Sequence, residues 1–319
     1  MTRRVAAVDC GTNSIRLLVA DRLPNGRLVD IVRRMDIVRL GHGVDKTGRI
    51  DPAAMERTLT KCREYAGQCT ELGAEAVRFV ATSASRDASN AADFVAGVRE
   101  AFAAFDIEPE VVAGVEEAQL SYAGATGDVA ADGGEAPYLV VDIGGGSTEF
   151  VRGDGHVEQA VSMDMGCVRM TERYFSAASA DPPTAEQVAA ATADIDALVD
   201  EAARSVDLTG IGTLVGVAGS VTTLTAYALR LPAYQPDAIH LARLDVPTTL
   251  ATCAEVLAMT REQRAAIPSM HPGRVDVIGA GALVWSRIVR RVASGSAITD
   301  VVTSEHDILD GIALSLNGG

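Results

Sequence analysis

Residues 139–150 read LVVDIGGGSTEF and residues 7–14 read AVDCGTNS. At a constant offset of 133 residues, Asp9 meets Asp142, Gly11 meets Gly144 and Ser14 meets Ser147. In each copy a short β-rich run ends in a carboxylate and a glycine-containing turn follows. A second apolar run then begins, Leu17-Leu18-Val19 in one and Phe150-Val151 in the other. A repeat at this spacing is a duplication on the scale of a domain, since solenoid units return every ~20–50 residues. It predicts two similar folded halves facing each other.

The flanks of the first copy read as a β-hairpin start followed by βαβ units, an α/β pattern. Strands are expected at Val5–Val8, Ile15–Ala20, Leu28–Leu40, Val77–Ala81 and Glu110–Ala113. Asp51-Pro52 opens a helix in N-cap/N1 order, and a second helix is expected over Asn90–Phe105. Gly127–Pro137, GDVAADGGEAP, is the best internal break. Beyond the second copy the chain reads as mostly helical, over Gln187–Ser205, Ser220–Leu229, Thr248–Met259, Val275–Val292 and Asp307–Leu316. Strands are expected there at Thr213–Val217 and Ile298–Val302, and long loops at Ser176–Pro183 and Arg230–Asp237.

Composition narrows the function. The 319 residues, a length typical of about two domains, are 48% hydrophobic and 22% charged. Lys and Arg total 28 against 43 Asp and Glu, a formal net charge of −15, which disfavours binding to nucleic acid or anionic lipid. Aromatic residues make up 4%, too few for platforms that stack single strands. Five scattered cysteines without a CxxC pair, and five histidines without HExxH spacing, disfavour a disulfide scaffold or structural zinc. The N-terminus lacks the apolar run of a signal peptide. Leu208–Leu229 carries no charge, but its glycines and hydroxyls read as a buried strand, a Gly turn and a buried helix rather than a membrane span. A cytoplasmic protein is expected.

The Gly144-Gly145-Gly146 turn allows close backbone approach to a ligand, its successive N–H groups form an anion nest, and Ser147 and Thr148 add hydroxyls. A dinucleotide fingerprint needs a glycine where Glu149 stands. A Walker A loop needs Gly-Lys, and neither Lys46 nor Lys61 follows a glycine. A plain Gly-rich hairpin remains the simpler reading of one copy; two copies favour one cleft gripping phosphate from both sides. Asp142 and Glu149 beside an anion would repel it unless a cation intervened, so they read as Mg²⁺ ligands. Glu116-Glu117 opens a helix after a strand. Either the pair compensates the helix dipole, or one of the two is a general base for an attacking water. Arg86 can fork onto a phosphate oxygen or lie on the surface, with Ser89 as a helix N-cap. Gly219-Ser220, at a strand–Gly–helix transition, can hold another phosphate at the helix N-terminus.

Seven segments, DCGTNSIRLLV, LGHGVDKTGRID, ATSASRDASN, GVEEAQLSYAG, VVDIGGGSTEF, GCVRMTERYF and VAGSVTTLTAY, resemble in order the exopolyphosphatase/guanosine pentaphosphate phosphohydrolase (Ppx/GppA) family, from Val5 to about Gly311. The resemblance implies an α/β fold with two ribonuclease-H-like domains of the actin/sugar-kinase/Hsp70 superfamily and an interdomain cleft. The domains would be 1–125, joined by a C-terminal helix at 304–319, and 126–303, as in the short form without a helical extension. It implies Mg²⁺-dependent hydrolysis of a terminal phosphoanhydride, with Glu117 and Glu149 as catalytic glutamates. Asp142 becomes the metal-associated aspartate, with Glu149 and Asp9 as further ligands. The phosphate contacts fall on Gly11, Thr12, Asn13 and Ser14, on Gly144, Gly145, Gly146, Ser147 and Thr148, and on Arg86, Gly219 and Ser220. One departure is Leu309-Asp310-Gly311, where the family usually reads Arg-Glu-Gly; this changes either domain packing or the cleft.

The expected reaction is release of orthophosphate from the ends of inorganic polyphosphate. Short chains are preferred, because a net charge of −15 repels a long polyanion. The rival readings are a pppGpp 5′-phosphohydrolase tied to the stringent response, a silent sensor of (p)ppGpp or nucleotide, and an actin-like sugar kinase. Retention of both Glu117 and Glu149 speaks against a pure binder, and the Glu-Glu placement against a kinase. (p)ppGpp as substrate or inhibitor and a homodimer complete the expected partners; no nucleic acid or membrane is among them.

Overall fold

The computed structural model describes residues 2–175 and 180–316. The first part of the expected loop Ser176–Pro183, residues 176–179, lies outside them. The chain divides into two compact units, Met1–Gly124 with Ile308–Gly319, and Ala125–Asp307.

In the first unit, strands β1 (Arg3–Cys10), β2 (Ser14–Arg22), β3 (Leu28–Ile37), β4 (Ala76–Ala81) and β5 (Glu110–Val111) form one sheet in the order β3-β2-β1-β4-β5. β1, β2 and β3 pair antiparallel, and β1, β4 and β5 parallel. Val5–Val8 of β1 and Leu17–Ala20 of β2 are continuous apolar runs because both sheet faces are covered there. Ala6, Val8, Ile15 and Leu17 pack with Cys62, Tyr65, Phe94 and Val98 of the helices Pro52–Glu71 and Ala91–Ala101. On the opposite face Val5, Ala7, Leu18 and Ala20 meet Leu120 of the helix Gly114–Ala131 and Ile312 of the helix Ile308–Ser315.

The second unit repeats this plan. β6 (Tyr138–Ile143), β7 (Thr148–Gly153), β8 (Val157–Met163), β9 (Thr213–Val217), β10 (Arg243–Asp245) and β11 (Asp300–Thr303) form a sheet in the order β10-β11-β9-β6-β7-β8. Again three strands run antiparallel and the central one, β6, continues into parallel β9 and β11. Leu139, Val141, Ile143 and Phe150 face a core closed by Trp285, Ile288 and Val292 of the helix Ile278–Gly295 and by Ile195 of the helix Ala185–Ala202. The duplication extends to register: Asp9 stands opposite Arg16 in the first hairpin, and Asp142 opposite Glu149 in the second.

Several expectations need correction. The break at Gly127–Pro137 is helical as far as Ala131; Gly127 sits within the helix Gly114–Ala131, amid Ala and Val residues that sustain it. The third strand ends at Ile37, because the amides of Val38 and Arg39 leave the ladder to bond Asn13 O, at 3.1 and 2.9 Å. The second half is less helical than its periodicity suggests, with β8 and β10 completing the sheet. In the uncharged stretch no glycine makes the turn: β9 runs directly into the helix Ala218–Ala228 through Ala218, held at φ +65°. Among the described residues no helix is long and apolar enough to cross a membrane. All five cysteines are free and buried.

Leu309-Asp310-Gly311 is a packing feature of the first unit. Leu309 is buried in the core beneath β1. Asp310 takes both guanidinium Nη atoms of Arg33, at 2.5 and 3.1 Å. Burial works to lower the Arg33 pKa, and the charge and hydrogen bonds of Asp310 raise it overall. A Cβ on Gly311 would lie 2.0 Å from Leu120 O, so only glycine lets the two helices meet there. Asp310→Ala removes the partner of both Nη atoms of the partly buried Arg33 guanidinium and leaves Asp30 on its Nε, at 2.8 Å. It is expected to destabilise the protein by about 3 kcal/mol, the low end for a broken buried pair because Arg33 keeps some water contact; urea unfolding measures this.

Candidate active site

In each unit the duplicated hairpin lies where parallel strands end, the edge at which α/β sheets collect ligands. In the first unit Gly11 N donates to Ser14 O at 2.9 Å, closing the turn. Gly41 N binds Thr12 O at 2.9 Å, while Val38 and Arg39 bind Asn13 O. In a trans peptide the N–H opposes the carbonyl, so tying these carbonyls back turns the amides of Asn13 and Ser14 the other way. Asp9 is 5% exposed, and its Oδ2 accepts from Arg16 Nε at 2.9 Å and pairs with Nη2 at 2.7 Å.

Beside this hairpin, β4 ends at Ala81 and Thr82 N bonds Cys10 O. Arg86, on the helical turn Ser83–Arg86, is half-buried rather than a surface residue. Its Nη1 donates to Val112 O at 3.1 Å and to Glu117 Oε2 at 3.0 Å. Glu117 is 7% exposed in the first turn of Gly114–Ala131. Glu116 instead joins Glu110 in holding Arg78. Ser89 is not the helix cap; Asn90 holds that place, and Ser89 Oγ donates to Gly48 O.

The second hairpin is held more completely. Gly144 N donates to Ser147 O at 3.0 Å. Gly144 O accepts from Cys167 N, Gly145 O from the amides of Val168 and Arg169, and Gly146 O from Gly166 N at 3.1 Å and Arg169 Nε at 2.7 Å. All three glycine carbonyls are thus consumed by the start of the helix Cys167–Tyr174. The amides of Gly145, Gly146 and Ser147 therefore point together to the opposite side, an anion nest. Thr148, expected among the phosphate contacts, is fully buried and gives its hydroxyl to Met165 O. A Cβ on Gly166 would lie 2.2 Å from Gly145 O and 2.4 Å from Gly146 N. Gly166→Ala must therefore push the turn out of place. We expect phosphate release to fall by about a hundredfold with secondary structure kept, as read by phosphate assay and circular dichroism.

Gly219 and Ser220 join this hairpin through two routes. Asp142 pairs with Val217 across the parallel ladder, and Cys167, whose amide bonds Gly144, also hydrogen-bonds Ser220 through its side chain. Burial pushes the Cys167 thiol up, against the opposing pull of Ser220 and Arg274. It therefore stays protonated at neutral pH and is no nucleophile.

Three further residues shape the site without having been singled out in the sequence. Gly166 and Arg169 lie inside GCVRMTERYF, where only the spacing from the glycine turn could have pointed to them. Arg274 lies against Gly219, where a Cβ would sit 2.5 Å from its Cζ; its Nη1 donates to Thr223 Oγ1 at 2.9 Å. This places a guanidinium at the N-terminal end of the helix Ala218–Ala228.

The donors can be tested against a divalent ion. Asp142 and Glu149 are 5% and 1% exposed and directly opposite in register, which puts their side chains on one face. Ser162 Oγ donates to Glu149 Oε1 at 2.7 Å. Two buried carboxylates beside an anion nest fit a hard cation that takes oxygen ligands. Asp9 fits less well, since the position matching Glu149 is Arg16, which already supplies positive charge.

Against known proteins, the model of the Ppx/GppA phosphatase family matches residues 19–316. The chain belongs to that family. Exopolyphosphatase 2 of Mycobacterium tuberculosis is 48% identical over 320 residues, covering 99% of both chains. A solved exopolyphosphatase-like protein is 44% identical, with a TM-score of 0.92, covering 98% of this chain and 97% of that one. The Ppx/GppA family member of Aquifex aeolicus is 28% identical, with a TM-score of 0.79, covering 99% of this chain and 97% of its own. The fold is accordingly the α/β fold of the actin, Hsp70 and sugar-kinase type found in Ppx/GppA proteins.

Proposed function

We propose that this chain is an exopolyphosphatase that removes terminal orthophosphate from short inorganic polyphosphate with Mg²⁺ held by Asp142 and Glu149. The observation that carries the reading is the pairing, within one hairpin, of an outward amide nest and two buried carboxylates in direct register. An anion nest alone suits any phosphate, and buried carboxylates alone suit any cation. Together they suit a metal–polyphosphate. Mg²⁺, when bound, would neutralise phosphate oxygens and withdraw electrons from the phosphorus under attack.

The chain's own groups do the rest. In the second unit the amides of the Gly144–Ser147 turn, with Gly219 and Ser220, would bind phosphoryl oxygens; in the first, the Gly11–Ser14 amides and Arg86 offer contacts of the same kind. Glu117 takes a proton from water as its oxygen bonds the terminal phosphorus. The phosphoanhydride P–O bond breaks, and the shortened polyphosphate leaves with the bridging oxygen and its electron pair. Arg86 Nη1 donates to Glu117 Oε2 at 3.0 Å and so fixes the orientation of the carboxylate.

A substrate panel tests the reading. Phosphate release should be fastest on chains of a few to some tens of units, slower on chains of hundreds, and abolished by EDTA. Faster release from pppGpp than from any polyphosphate would transfer the assignment to a nucleotide phosphohydrolase. Equal or faster turnover on long chains would remove the length preference, and full activity in EDTA would remove the metal.

A further inference from the structure

Asp128, His240 and His306 gather in the second unit and have no part in the proposed reaction. His306 Nδ1 lies 2.6 Å from Asp128 Oδ2, and His240 Nε2 lies 3.5 Å from the same oxygen. The two imidazoles stand with centroids 4.4 Å apart, tilted by 43°. One donor atom from each residue falls within 4.8 Å of the other two. We propose that these three side chains form a binding site for one divalent transition ion of the zinc class.

The donor set decides the class of ion. Two imidazole nitrogens and one carboxylate oxygen are what borderline ions such as Zn²⁺ and Co²⁺ take, with a position left for water. Mg²⁺ prefers oxygen donors, so this site and the Asp142–Glu149 pair select different metals. The histidines are far apart in sequence and show no zinc-like spacing; the fold brings them together.

The ligands are carried on anchored backbone. His306 N donates to Ser304 Oγ at 3.0 Å, and that hydroxyl donates to His306 O at 2.8 Å. The residue after His240, Leu241, bonds Thr303 O at 2.8 Å. His240 Nδ1 accepts a long bond of 3.3 Å from Glu305 N. Ligation through Nε2 leaves the ring proton on Nδ1, so this weak bond is the one given up. The Asp128 side chain is half-exposed, which leaves an entry path for the ion. Asp128 lies just after the chain enters the second unit and His306 just before it leaves. A bound ion would tie both crossing segments to the His240 loop.

Cobalt gives a direct readout. The EDTA-treated, dialysed full-length protein is titrated with Co²⁺ in excess Mg²⁺, which occupies the oxygen-donor pair. One equivalent should bind with visible d–d bands of a four- or five-coordinate ion and no thiolate charge-transfer bands, and one equivalent of Zn²⁺ should displace it. His240→Gln and His306→Gln should each weaken Co²⁺ more than about tenfold, since even outer-shell changes cost that much, while Mg²⁺-dependent phosphate release stays unchanged. Asp128→Asn, on an exposed helix position, supplies the same loss should a histidine variant fold poorly. Absence of the bands in the parent protein, or their persistence in the His240→Gln/His306→Gln double variant, overturns the site.

Discussion

Glu117→Gln is expected to lower kcat by about 10²–10⁴, the usual contribution of a positioned general base, with KM changed far less. The amide keeps the volume of the carboxylate, and its carbonyl oxygen can still accept from Arg86 Nη1, now 3.0 Å away. Folding therefore persists, and the loss reports the missing base rather than a displaced helix. The adjacent glutamate is the internal control. Glu116 bonds Arg78 Nη2 at 2.8 Å, on a guanidinium also forked by Glu110. It belongs to the packing between β4, β5 and the helix. Glu116→Gln should leave turnover within about twofold, a surface pair being worth under about 1 kcal/mol. Turnover within tenfold of the parent for Glu117→Gln, measured by steady-state phosphate release with circular dichroism confirming the fold, would remove Glu117 from the chemistry.

The contrast between these two glutamates shows where sequence reading stops. The pair reads as a helix start, and for such a pair alone dipole compensation is the favoured reading; only the resemblance selects Glu117. The fold separates them because Glu116 and Glu117, one residue apart, face opposite partners, Arg78 and Arg86. The duplication was legible because it is local: an apolar run, a carboxylate and a glycine turn recur within eight residues. So was Asp51 as an N-cap, which accepts from Ala53 and Ala54 amides. What escaped depends on distant contacts. Gly166 matters because it presses on Gly145, and Arg274 because it covers Gly219. Neither contact leaves a periodic trace. Gly127 misled because a glycine costs a helix only about 1 kcal/mol, which the packing of its neighbours offsets. The short strand β10 lies at a sheet edge, where three residues offer too little alternation to be read.

Glu149→Gln is expected to separate stability from activity. Register places Glu149 opposite Asp142, and in the first hairpin the same pair of positions is the attractive Asp9–Arg16. The first hairpin sets opposite charges across the ladder; the second sets two carboxylates opposite each other on one face, with 1% and 5% exposure. Like charges directly opposite destabilise a ladder by up to about 1 kcal/mol. Removing one should raise Tm in EDTA by up to about 1.5 °C for a chain of this size. The glutamine carbonyl can still accept from Ser162 Oγ, so the strand register is kept. Mg²⁺ should raise the Tm of the parent protein, because a ligand that binds only the folded state stabilises it, and should leave the variant nearly unmoved. Turnover at saturating Mg²⁺ should fall by about 10²–10³, as when one fixed charge-stabilising group is lost. A stability gain with this loss marks a carboxylate pair kept for the ion it holds. If scanning calorimetry finds the parent indifferent to Mg²⁺ and the variant destabilised, Glu149 is a packing residue, and the ion must be sought elsewhere.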